Sequence, residues 1–191
     1  MSARLAFHGV ACLRGGRLLF ERLSFALGPG EAGLVTGPNG TGKSSLLRLA
    51  AGLLRAAAGE IEHFGGTALA AEQAALDSDA TLADALGFWA RLDGVGQAEV
   101  ERALDAMALA PLAPVPVRLL STGQRKRATL ARVIAGRAAI WLLDEPGNGL
   151  DTASLERLSA AMTAHRAGGG IILTATHQPL GLDDARQIAL T

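Results

Sequence analysis

The chain has 191 residues, 49% of them hydrophobic and 19% charged, which is a globular composition and excludes a disordered protein. Its 18 basic and 18 acidic side chains give a formal net charge of zero, which argues against a nucleic-acid-binding protein, since these usually carry a basic excess. The length predicts one domain, with room for a subdomain.

The cysteine count and the hydropathy pattern predict the cellular compartment of the chain. Cys12 is the single cysteine, so it cannot form an internal disulfide, and we interpret it as a small buried residue in a reducing compartment. Charged residues interrupt residues 1–27, which excludes a signal-peptide pattern there. No window approaches the roughly eighteen apolar residues of a membrane-spanning helix. We therefore expect a cytoplasmic chain that reaches a membrane only through a partner.

Predicted strands and helices alternate along the chain. Hydrophobic patterning predicts several strands within 5–36, and further strands at 59–64, 67–72, 139–144, 171–176 and 187–191. It predicts helices at 43–51, 122–135 and 152–166. Between them, 74–117 is rich in Ala and Leu at helical spacing, and Asp79 or Thr81 is expected to cap a helix there. This order predicts an α/β fold with a parallel sheet and a helical subdomain at about 74–119.

The loop "GPNGTGKSS" at 37–45 fits the pattern G-x-x-x-x-G-K-[ST], between an apolar strand and a helix. Its three glycines, Gly37, Gly40 and Gly42, let backbone N–H groups point at phosphate oxygens, and the helix N-terminus adds its dipole. Lys43 supplies a charge for the β- and γ-phosphates, and the Ser44 hydroxyl can coordinate Mg²⁺. The other residues assigned to ATP binding are Pro38, Asn39, Thr41 and Ser45. The alternative is a glycine-rich turn that matches by chance.

The segment "IWLLDE" at 140–145 predicts the second half of an ATP site. Four apolar residues form a buried strand that ends in Asp144, which is placed to hold Mg²⁺ through a water. Glu145 follows and can act as a general base towards the attacking water. The structural alternative is a strand that merely ends in acidic residues at a turn.

Two polar residues follow other predicted strands. His177 comes directly after "IILTAT", at a strand end where parallel sheets bind ligands, and can hydrogen-bond a γ-phosphate. Gln73 follows "TALAAE" and can contact Mg²⁺ or the attacking water. Taken alone, His177 is better explained as a structural or surface histidine, and for Gln73 the two explanations are even.

The stretch "LSTGQRKR" predicts a second anion site. Ser121 is a suitable N-cap, and Gly123 permits close backbone approach at a helix start. One ATP fills only one of two such sites, which favours a head-to-tail pair of chains. Each nucleotide would then lie between 37–44 of one chain and the following residues of the other: Ser121, Thr122, Gly123 and Gln124. The basic run 125–127 turns through 100° steps, so we expect one cation towards solvent or acids and another towards phosphate.

The order of these motifs resembles the ATP-binding-cassette (ABC) ATPase family along essentially the whole chain. In that resemblance "GPNGTGKS" is the Walker A loop, Gln73 the Q-loop, "LSTGQ" the signature and "IWLLDE" the Walker B strand. "GNGLD" with Asp151 is the D-loop, and His177 is the switch histidine. The resemblance implies a P-loop core, with a mixed sheet flanked by helices, at about 1–73 and 120–191. It also implies an ATP- and Mg²⁺-binding homodimer that drives a transmembrane permease subunit docked near Gln73.

The sequence departs from the family pattern at three places. Arg14 stands where an aromatic residue usually stacks on adenine, and an arginine can also stack on a ring. Thr122 replaces a glycine of the signature, and "GNG" precedes Leu150 and Asp151. We expect the last two changes to loosen the dimer seam.

Short length, Arg14, "LLFERLSFAL", "WLLDEP" and "THQPL" together most resemble one subfamily, the ATP-binding subunit of the cytochrome c maturation system. That resemblance implies ATP hydrolysis on the cytoplasmic side of the inner membrane, driving haem export or release of a haem-loaded chaperone with haem-handling membrane proteins. The alternatives are an ABC ATPase with another cargo, a cassette acting on DNA or ribosomes, and a regulatory module without turnover. No nucleic-acid partner is expected.

Overall fold

The computed structural model describes residues 3–71 and 75–191, and their strands form two sheets. The strands are β1 Arg4–Arg14, β2 Arg17–Leu27, β3 Ala32–Thr36, β4 Ala58–Phe64, β5 Thr67–Ala70, β6 Ile140–Asp144, β7 Ile171–Ala175 and β8 Arg186–Ala189. The order β2-β1-β4 makes an antiparallel sheet, and β5-β6-β7-β3-β8 makes a parallel one. The predicted α/β fold with a mixed set of strands flanked by helices is confirmed.

Five α-helices connect or flank the strands. They are α1 Lys43–Ala50, α2 Leu82–Leu92, α3 Gln97–Ala106, α4 Thr122–Ala135 and α5 Thr152–Ala167. The strands of the second sheet are parallel, so their C-terminal ends lie at one edge of the sheet. The loops after β3, β6 and β7 therefore meet at that edge. Those loops carry the glycine-rich segment, the two predicted carboxylates and His177.

The apolar strands of the parallel sheet are buried on both faces. All five residues of β7 and the first four of β6 are buried, as expected for a sheet covered by helices. One core cluster joins this sheet to α2, α3 and α4, and the other joins it to α1 and the antiparallel sheet. Cys12 lies in the second cluster and is buried, as we interpreted it from the sequence.

The segment from 75 to 120 differs in part from the helical prediction. Residues 75–80 form turns instead of a helix, and short 3-10 turns occupy 110–112 and 117–119. The Thr81 hydroxyl accepts a hydrogen bond from the Asp84 N–H at 3.1 Å, so Thr81, and not Asp79, caps α2. Three prolines, at 111, 114 and 116, exclude regular helix from the second half of the segment. Among the described residues, no helix is long and apolar enough to cross a membrane.

Candidate active site

The glycine-rich loop after β3 curls around the side chain of Lys43. The Lys43 Nζ donates to the carbonyls of Gly37 at 2.7 Å and Pro38 at 3.1 Å, and the residue is only 9% exposed. The Thr41 hydroxyl donates to the Pro38 carbonyl at 2.9 Å, which closes the turn. Gly42 forms the N-cap of α1 with φ of 107°. The loop therefore holds a buried ammonium at a helix N-terminus, an arrangement that attracts phosphate.

Two glycines of this loop have no room for a side chain. A Cβ on Gly37 would lie 2.4 Å from the carbonyl oxygen of Leu190, which follows β8. A Cβ on Gly42 would approach Leu19 and Phe20 of β2 to 3.1 Å. Both residues have positive φ, which L side chains disfavour. Close packing from both sheets thus fixes the loop's shape.

The loop after β6 places two carboxylates at the same edge of the sheet. Asp144 ends the strand in register with Ala175 of β7. Glu145 has φ of 45°, a strained conformation for a non-glycine residue, and its N–H donates to the Ala175 carbonyl at 2.8 Å. A strained residue held by a backbone hydrogen bond at a strand end is common at active sites.

His177 lies beside Glu145. Its Nε2 is 3.7 Å from the Glu145 Oε1, which is longer than a hydrogen bond but close enough for attraction when the ring is protonated. The His177 side chain is 63% exposed and that of Glu145 is 27% exposed. The pair therefore opens towards solvent, where a ligand can reach both groups.

A cavity of about 580 Å³ joins the elements of this edge. Its walls include Ser44 at the start of α1, both carboxylates after β6, and the D-loop residues Asn148 and Gly149. The first turns of α4 complete it with the residues Thr122, Arg125, Lys126 and Thr129. The structure thus brings together the predicted Mg²⁺ ligands Ser44 and Asp144 and the predicted base, Glu145. The lining by α4 of the same chain was not predicted.

The signature segment forms a capped helix start. The Ser121 hydroxyl accepts from the Gln124 N–H at 3.3 Å, and the Gln124 Oε1 accepts from the Ser121 N–H at 2.8 Å. This reciprocal pair is a capping box, so the N-cap predicted at Ser121 is observed. Of the four signature residues, only Thr122 lines the cavity.

The basic run after the signature has three different environments. Arg125 donates to the Leu120 carbonyl at 3.1 Å, and Arg125 and Lys126 both line the cavity. Arg127 instead donates to the carbonyls of Met107 at 2.9 Å and Ala108 at 3.2 Å, at the end of α3. A cation at a helix C-terminus is favourable. The three cations therefore do not share one direction, as the 100° steps of the helix imply, although the carbonyl partners of Arg127 were not foreseen.

The remaining predicted residues lie elsewhere. Asp151 caps α5, accepting from the Ser154 N–H at 2.8 Å, and hydrogen bonds from Ser154 lower the pKa of its carboxyl group. Arg14 is exposed at the hairpin between β1 and β2. Burial raises the pKa of the nearby Cys12 thiol, while the Arg14 charge and a hydrogen bond with Ser45 oppose that rise. Gln73 lies outside the described residues.

The oxygen ligands at this site suit Mg²⁺ better than they suit a metal ion that is coordinated entirely by protein side chains. In residues 3–71 and 75–191, no group of three or more His, Cys, Asp or Glu side chains converges on a metal position. Mg²⁺ usually takes one or two protein oxygens and completes its shell with water and substrate phosphates. The Ser44 hydroxyl and the Asp144 carboxylate, facing one cavity, match that requirement.

A larger groove of about 1140 Å³ lies at the opposite ends of β6 and β7, and none of the predicted site residues lines it. There the rings of Trp141 and His165 stack with centroids 4.0 Å apart. Burial lowers the pKa of His165, so this histidine is held neutral near pH 7. The stacking in a groove away from the predicted site indicates a structural role for both residues.

Comparison with known proteins places this geometry in a family. The sequence profile described as ABC transporter matches residues 20–148. The cytochrome c biogenesis ATP-binding export protein CcmA of Sphingopyxis alaskensis is 57% identical over 100% of this chain and 98% of its own length. The protein of the same name from Zymomonas mobilis is 57% identical over 99% of this chain and 85% of its length, and that from Rhodospirillum rubrum is 48% identical over 98% and 86%.

Solved structures with the same fold include ABC proteins. A metal-chelate type ABC transporter in an inward-facing conformation superposes with a TM-score of 0.84 at 26% identity, over 100% of this chain and 80% of that one. An ATP-binding subunit of an ABC transporter gives a TM-score of 0.88 at 23% identity, over 97% and 85%. The second comparison bears on the fold alone.

Proposed function

This chain belongs to the ABC transporter family, and on that premise we propose that it is the ATP-binding and ATP-hydrolysing subunit of a membrane complex. The observation that carries the proposal is the cavity that joins the start of α1 to the end of β6. Ser44 borders it from the glycine-rich loop, and Asp144 and Glu145 border it from the strand end. The groups proposed to hold the metal ion and to activate water therefore face a single space.

Each group of the site has a role in hydrolysis that follows from its chemistry. Lys43 exchanges its carbonyl contacts for the β- and γ-phosphates, and the loop N–H groups from 37 to 45 bind the remaining phosphate oxygens. Ser44 and Asp144 hold Mg²⁺, which when bound neutralises the charge that develops on the phosphates. Glu145 accepts the proton of the attacking water. His177 hydrogen-bonds the γ-phosphate and keeps Glu145 oriented.

Other predicted residues complete the proposed site. Arg14 stacks on the adenine ring, and Gln73 contacts Mg²⁺ or the attacking water. The core at about 1–73 and 120–191 binds ATP, and the helical subdomain at about 74–119 receives the membrane subunit. The signature residues and Asp151 act across a homodimer, where Ser121, Thr122, Gly123 and Gln124 contact the nucleotide of the second chain.

The cargo follows from the relatives. Proteins named cytochrome c biogenesis ATP-binding export protein share 42–57% of their residues with this chain, and this range supports the same role here. We therefore place the subunit on the cytoplasmic side of the inner membrane, bound to transmembrane subunits that handle haem. Hydrolysis of ATP then drives haem export or releases a haem-loaded chaperone. An ABC transporter with another cargo is the competing function, and the genes adjacent to this one distinguish the two.

Two substitutions test the ATPase proposal. Glu145→Gln removes the general base but keeps the side-chain shape, so we expect hydrolysis to fall by about 100-fold or more while ATP binding persists and an ATP-bound dimer accumulates. Lys43→Ala removes the phosphate cation, so we expect ATP affinity itself to fall. Phosphate release and equilibrium ATP binding measure the two effects. Unchanged hydrolysis in both variants, with the membrane subunits present, would contradict the site assignment.

A further inference from the structure

Trp89 connects three parts of the chain that are distant in sequence. It lies on α2, partly buried, and its indole N–H donates to the carbonyl of Ala75. Ala75 follows Gln73 by two residues. The indole hydrogen bond therefore fixes the backbone at Ala75, two positions along the chain from the residue proposed to contact Mg²⁺ or water.

The same indole ring contacts the helix that begins with the signature. The Arg132 guanidinium of α4 lies 4.2 Å above the centroid of the Trp89 ring, a cation–π geometry that is favourable when partly desolvated. Arg132 is on the last turn of α4, about 15 Å along the helix axis from the signature at its start. A rigid helix carries a displacement at one end to the other.

A second contact holds the same two helices together. Asp93, at the C-terminal end of α2, lies so near α4 that a Cβ on Gly136 would come within 2.5 Å of its carboxylate oxygen. Burial lowers the pKa of Arg132, and the Asp93 charge opposes that shift. The Trp89 ring and the Asp93 carboxylate of α2 therefore both lie close to the C-terminal end of α4.

We propose that Trp89 is a positioning residue, which ties the backbone after Gln73 to α4 so that the two move together when the membrane subunit engages. This inference rests on the proposed function, because it requires a membrane partner that stimulates hydrolysis. Trp89 is not one of the residues that line the cavity of the proposed nucleotide site. Its loss therefore affects how strongly the partner stimulates turnover, and leaves ATP binding by the glycine-rich loop unchanged.

Trp89→Phe tests the hydrogen bond while retaining a ring beneath Arg132. We expect the partner-stimulated kcat to fall by about two- to tenfold, the range of one ordinary hydrogen bond, with KM for ATP and the basal rate of the isolated subunit unchanged. The measurement is Mg-ATP hydrolysis with and without proteoliposomes that contain the transmembrane subunits. Arg132→Gln, which removes the cation from α4, is expected to lower the stimulated kcat in the same way.

Trp141→Phe is the matched control. It makes the same change in the chain's other tryptophan, whose indole N–H is buried without a hydrogen-bond partner in the described part of the chain. We expect this variant to lower the melting temperature but to keep the ratio of stimulated to basal rate. A general loss of stability then cannot account for a changed ratio in Trp89→Phe.

The control variant also allows a measurement that remains possible even if the Trp89→Phe variant does not fold. Trp141→Phe leaves Trp89 as the sole tryptophan, so its fluorescence reports the contact with Ala75 and Arg132. We expect its emission to change when Mg-ATP and the proteoliposomes are added together, and not with empty liposomes. Unchanged emission would overturn the inference.

The outcomes separate the inference from the function on which it rests. If the membrane subunits do not stimulate the wild-type chain, both the proposed function and the inference are wrong. If they stimulate the wild-type chain and Trp89→Phe equally, the proposed function stands and only the coupling role of Trp89 is rejected.

Discussion

Single residues decide whether the loop at 37–42 can wrap around Lys43. Gly37 and Gly40 both have positive φ, of 141° and 83°, but their surroundings differ. A Cβ on Gly37 would overlap the Leu190 carbonyl at 2.4 Å, whereas a Cβ on Gly40 has no atom within 4 Å. A substitution at Gly40 therefore costs only the unfavourable backbone conformation, whereas a substitution at Gly37 also creates a steric clash.

We expect Gly37→Ala to be the more damaging of the two substitutions. Gly40→Ala carries only the cost of a left-handed alanine, about 1–2 kcal/mol. Gly37→Ala adds a backbone clash and should lose more than about 3 kcal/mol, with ATP affinity falling because the loop must shift. Thermal denaturation and ATP titration measure both effects. Equal losses in the two variants would show that the Leu190 contact does not constrain the loop.

At the scale of elements, apolar runs were sufficient to predict the buried strands. Local composition was not sufficient to predict the structure of residues 75–80, where we expected helix. β6 and β7 were predicted because a strand buried on both faces must be apolar throughout. Residues 75–80 contain two alanines beside two aspartates and a serine, which favour turns over helix interiors, and tertiary hydrogen bonds also hold their backbone. The Val117 N–H donates to the Ala80 carbonyl at 3.0 Å, and the Arg118 N–H to the Ser78 carbonyl at 2.9 Å. Such partners cannot be read from a local pattern.

Local sequence patterns also predict only part of the candidate site. Motif spacing predicted the loop and both carboxylates because each is local to one strand end. Spacing could not predict that the first turns of α4 would line the cavity, or that Trp89 would join Ala75 to Arg132. A tryptophan at helical spacing is ordinarily a core residue, and the contacts that distinguish Trp89 come from other elements. The segment "GNGLD" at 147–151 was identified as the D-loop, but its spacing did not predict that Asn148 would line the cavity.

An ion pair between α5 and the segment before β8 makes stability depend on pH. Arg166 forms a fork with Asp184, with the Nη1–Oδ1 distance 2.9 Å, and its Nε donates to the Gly30 carbonyl at 2.8 Å. The hydrogen bonds and charge of Arg166 lower the pKa of the Asp184 carboxyl below its usual 3.8. A lowered pKa means that the stabilisation is present above pH 3.8 and is lost as the pH falls through the lower folded value.

Asp184→Asn should therefore reduce the melting temperature at pH 7, and the difference from wild type should disappear as the medium becomes more acidic than pH 3.8. The effect is small, because solvent screens an exposed ion pair and it contributes little to the free energy of unfolding. Asp183→Asn is the control, since Asp183 is also exposed and forms no ion pair with any described residue. A difference between wild type and Asp184→Asn that stays constant over this pH range would contradict the linkage.

At the scale of the whole molecule, the position of α4 allows two arrangements of the nucleotide site. Thr122 lines the cavity of its own chain, so the first turns of α4 could complete the site within one subunit. In the proposed homodimer, the signature instead contacts the nucleotide of the second chain. The two arrangements differ in what a change at Gly123 does to the isolated chain.

Gly123→Asp in a Glu145→Gln background distinguishes them. A Cβ on Gly123 would meet only the Gly149 carbonyl, at an ordinary 3.4 Å. A carboxylate in the first turn of α4 interacts favourably with the helix dipole. The fold should therefore be retained. In the homodimer, the carboxylate repels the partner's triphosphate. We then expect ATP-dependent dimerisation in size-exclusion chromatography to disappear, while monomeric ATP affinity stays within about twofold, a difference below 0.5 kcal/mol. A loss of monomeric ATP affinity would instead show that α4 completes the site of its own chain.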